Sequence, residues 1–221
     1  MPLLTHRLTS AFDLAREVHN GDPIKGTTMP YLLHLLDVCS IALRHGADED
    51  QAIAALLHDV VEDGGGAPML DSIRQRFGDR VADIVLACSD SLEVDRANKP
   101  DWWIRKIAYI DHLRVTSSDA ALVSGADKLS NARSIVADYE TQGDAVFSNF
   151  KTGRVGTLWY YRRIAEILPG RLPDTERAQR LGALLQDTVH DLVQSVGPAA
   201  ATDWHEAIAE EQAHRSTLPS H

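Results

Sequence analysis

The chain has 221 residues and a formal net charge of −10, because 32 aspartates and glutamates outnumber 22 lysines and arginines. Hydrophobic residues make up 44% of the sequence and charged residues 24%, which is ordinary for a globular protein and excludes wholesale disorder. A chain this acidic lacks the basic surface that binding a long nucleic acid requires. Two cysteines are too few for a disulfide framework or a cysteine-rich zinc site.

Neither a secretory signal nor a membrane span is predicted. The first twelve residues contain no long apolar segment, and no stretch reaches the roughly 18 apolar residues of a transmembrane helix. We therefore expect a cytoplasmic protein without a membrane partner. The sequence leaves the oligomeric state open.

Apolar residues recur at helical spacing along nearly the whole chain, and no strand-like alternation persists, so the predicted fold class is all-α. Asp48 is a candidate N-cap, and the three glycines at 64–66 should end the helix that follows it. Polar loops are expected at 20–30 and 90–100. The predicted helices are Leu8–His19, Tyr31–His45, Glu49–Asp63, Leu70–Phe77, Arg80–Ser89, Trp102–Arg114, Asp119–Tyr139, Val155–Leu168, Asp174–Val196 and Asp203–Arg215.

One candidate linker, the proline- and glycine-containing stretch 169–173, divides the predicted helices. It separates a predicted core, residues 1–168, from a C-terminal helical extension, residues 169–221. Neither an internal repeat nor a low-complexity segment is present.

The segment AIAALLHDVVEDGGG carries the strongest chemical signal. On a continuous helix, at 100° per residue, His58, Asp59, Glu62 and Asp63 share one arc. A solvated amphipathic face is the simplest interpretation of that arc. However, the acids lie three or four residues apart and near the C-terminal end of the helix, and each of these features costs a few tenths of a kcal/mol or more. A divalent cation would reverse both penalties.

Two other residues can complete a metal site. His34 lies on an apolar helix, where a lone histidine is more often a hydrogen-bonded core residue than a ligand. Asp127 follows the small residues Ser124-Gly125-Ala126 and is costly to bury without a partner. Together with His58 and Asp59 they supply two imidazoles and two carboxylates, which neutralise a divalent ion and suit manganese, iron, zinc or nickel.

The ordered set His34, His58-Asp59 and Asp127 resembles the H…HD…D signature of the HD-domain metal-dependent phosphohydrolases. The string LLHDVVEDGG is similar to a narrower group, the hydrolase domains of RelA/SpoT enzymes and the small alarmone hydrolases. The segments PYLLHLLDV, IRQRFGDRVADIV and ADKLSNARSI extend the resemblance in family order over residues 8–165. It implies an HD-domain helical bundle acting as a stand-alone hydrolase.

The resemblance also implies roles for individual residues. His34, His58, Asp59 and Asp127 match the ligands of a divalent metal, usually Mn²⁺. Glu62 and Asp63 match the acidic pair that acts on the nucleophilic water. The residues matched to the nucleotide, or proposed as cations for its phosphates, are Lys25, Lys128, Asn131, Arg133, Lys151 and Arg154. The rings of Trp159, Tyr160 and Tyr161 are candidates for stacking on the base, although a core position is the commoner role for each.

The implied reaction is hydrolysis of the 3′-diphosphate of (p)ppGpp to GDP or GTP and pyrophosphate. Two departures bear on the substrate: Leu35 follows His34 where the family often has proline, and the loop before Pro30 holds only Lys25 in place of an Arg- and Lys-rich segment. Two alternatives therefore stay open. One is hydrolysis of another nucleotide, such as a nucleoside monophosphate or the 2′-phosphate of NADPH. The other is a non-catalytic metal or nucleotide sensor or helical interaction module.

Overall fold

The structure, a computed structural model, describes residues 4–93 and 98–218. Within these ranges it is a bundle of α-helices without a β-strand, which confirms the predicted all-α class. In chain order the helices are α1 (His6–Val18), α2 (Leu32–Arg44), α3 (Glu49–Leu57), α4 (Val60–Gly64), α5 (Ala67–Phe77), α6 (Asp79–Cys88), α7 (Trp102–Leu113), α8 (Ser118–Gln142), α9 (Gly153–Ile167), α10 (Glu176–Val196) and α11 (Ala199–Arg215).

Local sequence signals account for most helix ends. The Asp48 side chain accepts a hydrogen bond from the Gln51 amide, and Gln51 returns one to the Asp48 amide, so α3 starts at the predicted cap. Short 3₁₀ turns at 143–149 and 168–170, which the sequence did not predict, follow α8 and α9. The predicted loop 90–100 is non-helical at 90–93 and 98–100, and its remaining residues lie outside those described.

The single predicted helix Glu49–Asp63 is wrong, because α3 ends at Leu57 and α4 begins at Val60. The intervening residues form a turn, in which the imidazole Nδ1 of His58 lies 2.9 Å from the carbonyl oxygen of Ala55. At Asp59 the backbone departs from regular α-helical geometry, since ψ is −8° there, whereas a regular helix has ψ of about −42°. Because of this break, His58-Asp59 and Glu62-Asp63 do not share the single helical arc that the sequence predicted.

Helix α8 runs through the middle of the bundle and packs against α2, α3, α6 and α10. The close contact with α10 depends on Gly125: a Cβ atom there would lie 2.9 Å from Leu168 and 3.1 Å from Leu181. The small residues before Asp127 therefore let the C-terminal half of the bundle approach the helix that carries this carboxylate.

The two last helices pack on the rest of the bundle. Their buried side chains, including Leu181 and Leu185 of α10, belong to the same apolar core as those of α2, α3 and α8. Helix α11 is tied to α9 by two buried acids: Asp203 pairs with Arg154, and Glu211 accepts hydrogen bonds from Trp159 and Arg163. The proposed boundary at residue 168 stays a prediction.

Among the described residues, no helix has the length and apolar character required to cross a membrane.

Candidate metal centre and adjoining cavity

Three separate segments bring His34, His58, Asp59 and Asp127 together. The side chains of His34, His58 and Asp59 present ligand atoms that all lie within 4.8 Å of one another. Asp127 closes the group from α8, with its Oδ1 3.3 Å from Nε2 of His34 and 3.6 Å from Nε2 of His58. Three of the four residues are buried, and Asp59 is partly exposed.

In each histidine, a polar contact at Nδ1 orients the opposite ring atom, Nε2, towards this centre. The Nδ1–H group of His58 donates to the carbonyl oxygen of Ala55, as described above. Nδ1 of His34 lies 3.4 Å from the hydroxyl of Ser130, which in turn donates to Asp37 over 2.6 Å. Histidines that bind metals are commonly held in this way, because the outer bond fixes both the tautomer and the ring orientation.

The donor atoms of the centre satisfy one another only with a positive ion between them, either a proton on Nε2 of His58 or a metal ion. With Nδ1 of His58 protonated, Nε2 of the neutral ring is an acceptor, and it is buried without a hydrogen-bond partner. The nearest polar atom is Oδ2 of Asp59, 3.0 Å away, which is also an acceptor. A buried polar group without a partner is costly, so this geometry favours a positive ion between the side chains.

The pKa shifts point in the same direction. Burial lowers the pKa of His58, but Asp59 and Asp127 outweigh burial and raise it well above its usual value. Burial raises the pKa of Asp127, but Lys128 and the two histidines hold it well below its usual range. The centre therefore stabilises anionic carboxylates and attracts positive charge.

Three further side chains hold the two carboxylates in place. Tyr31 donates its hydroxyl hydrogen to Oδ2 of Asp59. Lys128 binds Oδ2 of Asp127, and the Asn131 amide donates to its Oδ1. Tyr31 was missed by the sequence analysis, although its position one helical turn before His34 is a usable signal.

Glu62 and Asp63 both lie on α4. Oε1 of Glu62 accepts the backbone N–H of Asp90 over 2.8 Å, and Lys99 lies 3.9 Å from Oε2. Burial, reinforced by the charge of Asp90, raises the pKa of Glu62 to about 7. A carboxyl group with that pKa exchanges protons near neutral pH, as a general acid or base must. Asp63 is exposed on the same helix.

A cavity of about 370 Å³ adjoins the centre at Lys128 and Asn131. We call it the metal-side cavity. Five basic side chains line it, of which Arg105, Lys106 and Lys128 pair with aspartates. Lys25 and Lys151 have no ion pair with any residue that the structure describes. The complete lining is Lys25, Trp102, Arg105, Lys106, Lys128, Asn131, Phe150, Lys151, Thr157, Tyr160 and Tyr161.

The loop before α2 carries Lys25 to this cavity. The loop closes on itself through hydrogen bonds from Ile24 N–H to the Met29 carbonyl and from Tyr31 N–H to the Asp22 carbonyl, both 2.8 Å long. Gly26, with φ of +80°, lies so close to Asn149 that a Cβ would come within 2.7 Å of its amide nitrogen. This contact joins the loop to the turn that precedes Lys151.

The remaining sequence candidates divide between the cavity and the core. Tyr160 and Tyr161 line the cavity, whereas Trp159 is fully buried and donates to Glu211. Arg154 is not brought there, because its guanidinium binds Asp144 and the buried Asp203. Arg133 faces another cavity, described below.

Sequence reasoning also missed several residues of the site. Trp102, to which the sequence analysis gave no role in the site, packs against Trp103 and also lines the cavity. Asp90 lies in a polar loop, yet its side chain is only 5% exposed and pairs with Arg105 and Lys106. Nothing in the sequence pattern indicated these contacts, because the loop and α7 meet α4 and α8 only in the folded chain.

Comparison with known proteins gives a family match over most of this region. A model of the HD domain family matches residues 11–158, about two thirds of the chain. The guanosine-3′,5′-bis(diphosphate) 3′-pyrophosphohydrolase of Aquifex aeolicus is 37% identical over 84 residues, which are 38% of this chain and 12% of that protein. The enzyme of the same description from Drosophila melanogaster, MESH1, is 31% identical over 114 residues, 51% of this chain and 59% of that protein.

Two solved structures share the fold. That of a metazoan ortholog of SpoT that hydrolyzes ppGpp superposes with a TM-score of 0.69 at 22% identity, over 87% of this chain and 98% of that one. The protein lmo0812 of Listeria monocytogenes EGD-e gives a TM-score of 0.59 at 29% identity, over 71% of this chain and 99% of its own. The chain spans less than two thirds of the length of either curated relative.

Proposed function

The chain belongs to the HD domain family, and we propose that it hydrolyses guanosine 3′,5′-bis(diphosphate), releasing the 3′-diphosphate as pyrophosphate. One observation carries this proposal: a His/Asp centre, in which Nε2 of His58 is buried without a hydrogen-bond partner, adjoins a cavity lined by both cations and aromatic rings. The curated relatives named for this activity support the choice of substrate. We place the reaction in the cytoplasm, where guanine nucleotides are found.

His34, His58, Asp59 and Asp127 would hold the divalent ion; mixed imidazole and carboxylate ligands suit several metals, and we propose Mn²⁺ because the family resemblance implies it. When bound, such an ion lowers the pKa of a water molecule and polarises a phosphoryl oxygen. Tyr31, Lys128 and Asn131 keep the carboxylates of the centre in fixed positions.

Glu62 is proposed to handle the proton of the attacking water. Its pKa of about 7 allows it to accept that proton and later deliver it to the departing O3′ atom. The water oxygen bonds to the phosphorus next to O3′, the O3′–P bond breaks, and its electron pair stays on O3′. Asp63, exposed on the same short helix, is proposed to assist Glu62.

The two kinds of side chain that line the metal-side cavity suit the two parts of a nucleotide. Lys25 and Lys151, which lack carboxylate partners among the described residues, are available to the diphosphates, and Lys128 lies between the cavity and Asp127. Phosphoryl transfer depends mainly on such positioning and charge neutralisation. Trp102, Phe150, Tyr160 and Tyr161 offer ring faces to the base.

The test combines metal analysis of the purified chain with a ppGpp hydrolysis assay, with and without added Mn²⁺, and separation of the products by anion exchange. We expect Mn²⁺-dependent formation of GDP and pyrophosphate in equal amounts. Release of orthophosphate from another member of a nucleotide panel, with ppGpp unchanged, would instead indicate a different phosphohydrolase. Tight binding of ppGpp by the Mn²⁺-loaded chain without turnover would indicate a sensor.

A further inference from the structure

A second cavity, of about 590 Å³, is formed by residues of α2, α8 and α10. We call it the arginine cavity, since four arginines line it and Asp37 is its single acid. The complete lining is Asp37, Ser40, Ile41, Arg44, His45, Arg133, Arg177, Arg180 and Leu184. None of these residues belongs to the metal-side cavity.

The four arginines lack acidic partners. Across the part of the chain that the structure describes, no carboxylate lies within 4.0 Å of their guanidinium groups, and the one side-chain contact is that of Arg44 with Ser40, at 3.5 Å. Arginines elsewhere in this acidic chain pair with several acids; Arg74 and Arg80, for example, bind two and three aspartates. Asp37 offsets only one of the four positive charges in the lining, so an anion among the arginines would be electrostatically favourable.

The framework of the cavity is fixed by a buried contact. His45, which is 9% exposed, places Nδ1 2.8 Å from the carbonyl oxygen of Arg177 and so joins the end of α2 to the first turn of α10. Arg133 lies on α8, so three helices present guanidinium groups to one space. The fold therefore sets the backbone positions from which the four arginines extend, although their side chains are exposed.

The lining indicates which anion would bind. Guanidinium groups match phosphate oxygens with paired hydrogen bonds. Trp, Tyr and Phe are absent from the lining, whereas four such rings face the metal-side cavity, so the arginine cavity recognises phosphate and offers little to a base. With Asp37 counted, the cavity carries about three positive charges, which exceeds the charge of one phosphate monoester, about −2 at most.

We propose that the arginine cavity binds a diphosphate group, either free pyrophosphate or the diphosphate end of a nucleotide. The inference rests on the cavity alone and does not require the proposed hydrolysis. The cavity also borders the candidate metal centre: Asp37, part of its lining, accepts the hydrogen bond from the Ser130 hydroxyl that contacts His34.

Equilibrium dialysis of the purified full chain against labelled inorganic pyrophosphate tests the proposal. The measurements are made in a Lys25→Gln/Lys151→Gln background, which weakens binding in the metal-side cavity. Into this background are introduced either Arg133→Gln/Arg180→Gln or the charge-matched control Arg16→Gln/Arg76→Gln, whose positions lie on α1 and α5. All four arginines are largely exposed, so the fold should tolerate these changes.

We expect saturable binding in the background, at least a tenfold weaker affinity after the Arg133/Arg180 change, and a change of less than twofold in the control. Equal weakening by both pairs, or absence of saturable binding in the background, would overturn the proposal. Displacement of pyrophosphate by sulfate at equal concentration would also overturn it. Competition between GDP and labelled pyrophosphate then distinguishes the two possible ligands. Strong competition by GDP indicates that the cavity binds the diphosphate end of a nucleotide, and weak competition indicates free pyrophosphate.

Discussion

The metal-side cavity and the arginine cavity are both basic, and both take residues from α8, yet they are built for different ligands. Lys128 and Arg133 lie five residues apart, about 140° around that helix, and so face opposite sides. On one side, cations combine with aromatic rings and a buried His/Asp centre. On the other, the guanidinium groups have no Trp, Tyr or Phe ring beside them and no buried His/Asp centre. Basic charge alone therefore does not identify a catalytic site. The two cavities differ in the groups beside the cations, namely the aromatic rings and the His/Asp centre.

The distinction between the two cavities depends first on whether the buried His/Asp centre binds a metal. Asp127→Ala should abolish both metal retention and turnover, because it removes a ligand that contacts both histidines. Elemental analysis and the ppGpp assay measure the two effects. Arg133→Gln, five residues along the same helix, should keep its metal, and equal metal content in the two variants would contradict the assignment.

Glu62→Gln should separate chemistry from metal binding. We expect its metal content to stay at the wild-type level and kcat to fall by about 10²- to 10⁴-fold, the usual contribution of general acid–base catalysis. The amide keeps an acceptor for the Asp90 N–H group, so the local structure should persist. A kcat within a factor of three of the wild type would rule out the proposed proton-handling role.

Acidification should weaken metal binding. The raised pKa of His58 means that a proton occupies Nε2 more readily in the metal-free centre, and bound metal must displace it. As the pH falls from 8 to 6, the apparent affinity for Mn²⁺ should drop by up to about tenfold per unit, one proton being exchanged. Titration calorimetry in several buffers measures both the affinity and the proton release. An affinity independent of pH would argue against this competition.

Substrate binding should depend on the two cations of the metal-side cavity that lack partners. Lys25→Gln/Lys151→Gln should raise KM for ppGpp by about tenfold or more, because charge-assisted hydrogen bonds to phosphate are lost. The control Arg16→Gln/Arg76→Gln removes the same charge outside both cavities and should leave KM within twofold. Equal effects of the two pairs would mean that only the overall charge matters.

Arg154 provides the smallest and most local test. Its guanidinium binds the buried Asp203 over 2.6 Å, so Arg154→Gln should lower the free energy of unfolding by about 1–3 kcal/mol. KM for ppGpp should stay within twofold, since the side chain is held away from the metal-side cavity. Chemical denaturation and steady-state kinetics measure the two quantities. A large rise in KM with unchanged stability would support the phosphate-binding role that the sequence analysis proposed for Arg154.

The sequence by itself determined the helical class, the HD family resemblance and the four residues of the candidate metal centre. These signals are local: helical spacing, the Asp48 cap, and an acidic motif that is unfavourable without a cation. The same local reasoning failed at His58-Asp59, because a period of 3.6 residues assumes a continuous helix, and the contact of His58 with Ala55 ends α3 there.

Only the tertiary structure decided which cations face a cavity and which support the fold. Lys151 and Arg154 are three residues apart and each carries one positive charge, yet one lines the metal-side cavity and the other binds a buried aspartate of α11. The arginine cavity likewise joins residues from α2, α8 and α10 that no spacing rule connects. The physical reason is that a charged side chain takes its role from the groups it meets, and distant segments supply those groups only after folding.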